Sequence, residues 1–205
     1  MNSTLTADEV RADLGDKVVE GLAEAVSRAS DDLRTYRQAF PLFVAEHSER
    51  GLANWIHDRL WSHLNLTLAD ACEVHFRDAG VHREITVGTN YKLRIKRHSD
   101  AGAIASYDTQ GALEFYAQSE AGQIALDGLT LVTLAAGYVW DPELREMGDA
   151  VLSLRDRRPN LIWQQSISSE LTPPIAIEAA TGGGPARPVI ELAGDRTSEE
   201  EAGDA

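Results

Sequence analysis

The chain has 205 residues, 43% of them hydrophobic and 25% charged, with a formal net charge of -14. That is room for one domain with a core plus an appendage, and the acidity disfavours wrapping along a nucleic-acid backbone. No apolar run approaches the roughly 18 residues needed to span a bilayer, and the single Cys72 excludes an internal disulfide or a thiolate metal cluster within the chain.

Met1-Asn2-Ser3-Thr4 leads into a charged segment without a basic-then-apolar leader pattern, so a cytoplasmic location is expected. Thr6 and Glu9 have capping-box spacing and open a helix. Val10, Leu14, Val18, Leu22 and Val26 follow at every fourth position, an apolar stripe suited to helix packing within or between chains. This stripe is a candidate protein-interaction surface and a route to a homo-oligomer. A second helical piece over 31–40 ends at Pro41. Ser48 caps a third helix whose buried side is Leu52, Trp55, Ile56, Leu60 and Leu64. His57 and His63 stand about 240° apart on it and cannot share a metal ion.

From residue 71 the apolar period shortens to two. Cys72, Val74 and Phe76 are expected inward, with Cys72 read as a small buried hydrophobe. A second strand carries Ile85 and Val87, and Gly88-Thr89-Asn90 makes a three-residue hairpin loop with Asn90 left-handed. That loop length pairs Val87 with Tyr91, Ile85 with Leu93, Thr86 with Lys92 and Glu84 with Arg94.

The third strand, Tyr91-Lys92-Leu93-Arg94-Ile95-Lys96-Arg97-His98, is the most informative stretch. It holds two of the three lysines of an acidic protein. Strand alternation puts Tyr91, Leu93 and Ile95 on one face and Lys92, Arg94, Lys96 and His98 on the other. With Arg77 and His82 from neighbouring strands, these four are candidate contacts to an anionic partner. Tyr91 faces inward, so the basic face lacks the stacking aromatic of a single-strand nucleic-acid platform.

Residues 103–107 read as a short strand and Asp108 or Thr109 as the cap of a helix to about Gln118. Leu129–Trp140 reads as a long strand, and Ala150–Leu154 with Leu161–Ile167 as a closing hairpin. The expected fold is α+β: N-terminal helices (1–70) on a mainly antiparallel sheet of about six strands with one inserted helix (71–167). Residues 168–205 carry eight acids against two arginines, with Gly182-Gly183-Gly184 and Glu199-Glu200-Glu201, and are expected as a disordered acidic tail. Within it Pro188-Val189-Ile190-Glu191-Leu192 is an apolar cluster, and Ile190 a candidate protein contact.

The order helix, three strands, helix, strand resembles the core of restriction-endonuclease-like enzymes, which bind a divalent metal through an acid on the second strand and Glu-x-Lys on the third. Here no acid stands two residues before Lys92 or Lys96, and Asp78 and Glu84 are the only nearby carboxylates. The catalytic pattern does not carry over. Phosphate-loop, zinc-helix, nucleophile-elbow and dinucleotide motifs are missing, and Ser153 lacks an identifiable base. No catalytic residue, metal ligand or cofactor is assigned.

The runs Trp55–Trp61, Tyr91–His98, Ala105-Ser106-Tyr107-Asp108-Thr109-Gln110 with Ala112-Leu113-Glu114-Phe115, Gly137–Asp141 and Ala150–Asp156 resemble an uncharacterised family of actinobacterial and phage-associated proteins over roughly residues 50–165. The resemblance implies a regulatory partner of repressor-like or toxin–antitoxin-like gene products. The expected function is a non-enzymatic binding or regulatory protein, antitoxin-like, with a protein partner and a nucleic acid as the second choice on the local basic patch. A divergent metal-dependent nuclease and a structural assembly subunit are the alternatives.

Overall fold

A computed structural model describes residues 5–79, 82–104, 115, 131–156 and 160–167, with only the backbone of His82. Four helices, α1 (Ala7–Leu14), α2 (Asp16–Ala39), α3 (Pro41–Glu46) and α4 (Glu49–Thr67), precede a six-stranded sheet. Its strands β1 (Val74–Ala79), β2 (His82–Val87), β3 (Tyr91–His98), β4 (Val132–Asp141), β5 (Glu146–Asp156) and β6 (Asn160–Ser166) lie side by side in chain order. The architecture is α+β, and all neighbours are antiparallel except β3 and β4.

The capping box at Thr6 and Glu9 forms as its spacing predicts, and Ser48 caps α4 by accepting from the Gly51 amide. The helix boundaries differ from the sequence reading. Gly15, at φ 78°, breaks the first helix, and the next runs without interruption from Asp16 to Ala39. The stripe of Val10, Leu14, Val18 and Leu22 is therefore divided between α1 and α2. All four are buried in the chain's own core beside Leu52, Ile56 and Leu64 of α4. This corrects their reading as a surface for another protein or another copy, because intramolecular packing already uses the whole stripe.

Register makes the sheet two-sided. Phe76, Ile85, Leu93, Leu134, Leu154 and Trp163 are successive cross-strand partners from β1 to β6. They pack into the same core as the helices. The adjacent row, Arg77, Glu84, Arg94, Ala135, Ser153 and Gln164, faces the other way. The β2–β3 pairing is the one that the three-residue loop demands, from Val87–Tyr91 to Glu84–Arg94. Within that loop Gly88, at φ 55°, takes the left-handed conformation, not Asn90. Cys72 lies before β1 and is exposed, which corrects its reading as a buried hydrophobe.

Strands β3 and β4 run parallel, and a parallel pair needs a long crossover between its strands. Its described parts are the Ser99–Ala103 turn, Ile104, which bridges back to His98, the helical residue Phe115, and Leu131 just before β4. Ile104 and Phe115 bury against Ala135, so the crossover covers part of the face opposite the helices. The inserted helix over 108–118, apart from Phe115, and the tail with Ile190 lie outside the described residues.

One position shows how closely β3 and β4 approach. A Cβ placed on Gly137 would sit 1.9 Å from the Lys96 carbonyl oxygen, with φ at 157°. Backbone cannot yield as a side chain would. Gly137→Ala is expected to destabilise the domain by about 3 kcal/mol, as for other overpacked and strained sites, read as a lower urea midpoint with an unchanged m-value.

Candidate functional site

The row opposite the helices gathers the predicted cations, and the structure sorts them into two kinds. At the centre is Glu84, whose side chain is 7% exposed. Arg94, directly across on β3, donates from Nε to Glu84 Oε1 at 2.9 Å and also from its terminal nitrogen. The Arg94 guanidinium lies over the Phe115 ring, 4.1 Å from its centroid. Arg77 and Lys92 each stand 3.7 Å from Glu84 Oε2. Burial works to raise the Glu84 pKa, but the Arg94 hydrogen bond and the charges of Arg94, Lys92 and Arg77 outweigh it. The net shift is downward, and the carboxylate stays ionised.

Arg94 is thus a structural partner, clamped between a carboxylate and a ring. Arg77 differs: its side chain is 71% exposed and makes only the distant edge of the cluster. Lys92 and Lys96 are half-buried on the same face of β3. Lys92 pairs across to Thr86 on β2, and Lys96 to Gly137 on β4. Among the described residues, Arg77, Lys92 and Arg94 share the Glu84 carboxylate.

His98 departs from the expectation. It is 1% exposed, because the crossover folds over the end of β3 and Ile104 bridges to it. Its Nε2 lies 3.0 Å from Ser153 Oγ on β5, and its Nδ1 lies 3.2 Å from the Lys96 carbonyl oxygen. The contact crosses β4 diagonally, from Val139, the partner of His98, towards Ala135, the partner of Ser153, and the residue between them on this face is Gly137. Buried Arg155, which donates to the Gly102 carbonyl, stands near enough to repel a second cation. Desolvation first, and Arg155 second, push the His98 pKa down from 6.5 to about 4. His98 is a neutral core residue, so its assignment as an anion contact is corrected. The side chain of His82 lies outside the described residues.

The carboxylates considered for a metal face opposite ways. Glu84 is on the cationic face, whereas Asp78 pairs at 3.2 Å with Arg83, which reaches α4 at Asp58. They cannot converge on one ion. Among the described residues no group of three His, Cys, Asp or Glu side chains is placed to hold a metal. The α4 histidines have local partners: Arg83 donates to His57 Nδ1 at 3.1 Å, and His63 Nε2 donates to Asp32 at 2.7 Å. Tyr91 points inward as alternation requires and donates to Asp13 at 2.8 Å. It lines an open cleft of about 470 Å³ with Asp13, Cys72, Glu73 and His75.

The signal for Glu84 as a hub was present in its cross-strand position to Arg94. Phe115, Ser153 and Arg155 gave none, because their placement depends on the crossover and on pairings beyond the local hairpins. No protein-family model matches the chain, and neither does any curated protein or solved structure.

Two stability measurements separate these roles. Arg94→Ala leaves a buried carboxylate without its main partner and is expected to cost about 3 kcal/mol, whereas Glu84→Leu with Arg94→Met restores most of that loss in urea unfolding. His98 binds its proton at about pH 4 in the folded chain but near 6.5 when unfolded. The unfolded state therefore takes up more protons between those values, and stability is full above pH 6.5 and falls as the pH drops towards 4. The loss amounts to roughly 3 kcal/mol at most. His98→Gln removes that component, so its stability difference from the natural chain narrows steadily below pH 6.5.

Proposed function

We propose that this chain is a binding protein, antitoxin-like or regulatory, which takes an anionic macromolecule on the strand face formed by β1, β2 and β3. The observation that carries this reading is the imbalance around Glu84: Arg77, Lys92 and Arg94 converge on a single carboxylate. Arg94 is consumed in holding that acid, while Arg77 projects into solvent. An incoming carboxylate or phosphate would give Arg77 and Lys92 an acid closer than Glu84, from which each stands 3.7 Å. A strand face offers donors at fixed spacing and is rigid because its opposite side is the domain core.

The overall charge of -14 limits the footprint. A long polyanion lying beyond the patch would meet acidic surface, so a short contact segment is favoured, such as the acidic stretch of a protein partner. A cytoplasmic setting suits this reading. No described helix is long and apolar enough to cross a membrane.

The full chain is tested against a labelled poly-glutamate peptide and a labelled DNA duplex by fluorescence anisotropy over a series of salt concentrations. Binding to the peptide is expected to exceed binding to the duplex, and to weaken with rising salt. Arg77→Ala and Lys92→Ala are each expected to weaken it by roughly three- to tenfold, near 1 kcal/mol per contact, without lowering the melting temperature. Preference for the duplex would make nucleic acid the partner class. Absence of binding to both probes, or binding insensitive to these substitutions, would overturn the assignment.

A further inference from the structure

Four neighbouring side chains on the outer face of β1, β2 and β3 carry donors that the fold does not use. His75, Thr86 and Lys92 form one row across the three strands, each the cross-strand partner of the next. Arg77 lies in the adjacent row, opposite Glu84. Direct partners in such rows stand about 5 Å apart and diagonal ones about 7 Å, so the long side chains of Lys92 and Arg77 can reach the space above Thr86. Among the described residues, none of the four side chains makes a hydrogen bond. Glu84 gathers the two cations without saturating them. Arg77 Nη1 and Lys92 Nζ each stand 3.7 Å from its Oε2, beyond hydrogen-bonding distance, so the two nitrogens lie within about twice that distance of each other. Glu84 itself is 7% exposed and is hydrogen-bonded by Arg94, which offsets its charge towards a second anion. Arg77 and His75 are exposed, and Thr86 and Lys92 are half-buried, so the group opens to solvent.

We propose that this quartet is a phosphomonoester subsite, and that its ligand is a phosphorylated serine or threonine of a protein partner. The inference rests on the anion-binding reading of this face and names the anion. Charge favours phosphate over carboxylate, because a phosphoserine carries about -1.5 to -2 near neutral pH and one group then serves both cations. Shape favours it as well. Three terminal oxygens can meet Arg77, Lys92 and the Thr86 hydroxyl together, at about 2.8 Å per charge-assisted bond, whereas a carboxylate offers two. His75 closes the β1 side of the row with a ring N–H. Thr86 is the discriminating member: a carboxylate is served by the two cations alone, while a hydroxyl beside them gives the third oxygen its donor. A phosphodiester backbone fits less well. Each of its links carries one charge, and its further links would extend over a protein of net charge -14.

Fluorescence anisotropy of the full chain tests the proposal with one labelled acidic peptide made in three forms, its central residue serine, glutamate or phosphoserine. The phosphoserine form is expected to bind about tenfold tighter than the glutamate form. Thr86→Val keeps the side-chain shape and suits a strand. It is expected to weaken phosphoserine binding about fivefold and to leave glutamate binding within about twofold, with the melting temperature retained. Thr86→Ser, which restores the hydroxyl, is expected to keep the phosphoserine preference. Inorganic phosphate at millimolar concentration should displace the phosphoserine form while binding more weakly than it. Equal affinity for the glutamate and phosphoserine forms, or a phosphoserine affinity indifferent to Thr86→Val, would overturn the phosphate subsite and leave the anion-binding face standing. Inorganic phosphate binding as tightly as the phosphopeptide would overturn the protein partner. Absence of binding to all three forms would overturn both the subsite and the face.

Discussion

The molecule depends on the parity of its sheet. Successive strands keep one row in phase, from Phe76 through Ile85, Leu93, Leu134 and Leu154 to Trp163, and that row meets α2 and α4 in a single core. A slip of one residue in any pairing would turn apolar side chains to the outer face and bring charges beneath the helices. The same constraint creates the outer row. Once Leu93 and Ile95 are committed inward, Lys92, Arg94 and Lys96 have nowhere to go but the opposite face. The basic surface is therefore a by-product of packing in its position, though not in its chemistry, since neutral polar residues would satisfy parity equally well.

Chemistry at the outer face is governed by Glu84. A buried carboxylate is costly unless it is ionised and well paired; Arg94 supplies the hydrogen bonds, with Phe115 against its guanidinium, and Lys92 and Arg77 add their charges. Arg77 and Lys92 stand farther off, at 3.7 Å, and contribute charge more than geometry. Further along β3 the outer face is dry, because the connection to β4 covers it and leaves neutral His98 bonded to Ser153. One strand thus passes from a surface able to meet a charged partner to a buried polar contact within eight residues. The transition falls where Gly137 lets β4 approach Lys96.

Local chemistry was legible in the sequence, and long-range chemistry was not. The register of β2 against β3 follows from loop length and alternation, so Glu84 opposite Arg94 could be read without coordinates. The capping box at Thr6 could be read for the same reason: both partners lie within one turn. By contrast, a stripe such as Val10, Leu14, Val18 and Leu22 says that a helix face will be covered without saying by what, and here α4 and the sheet do so. His98 was misplaced because alternation assigns a face but cannot say whether a distant segment lies over it. The break at Gly15 was missed because an uninterrupted apolar period masked the one residue able to change direction there.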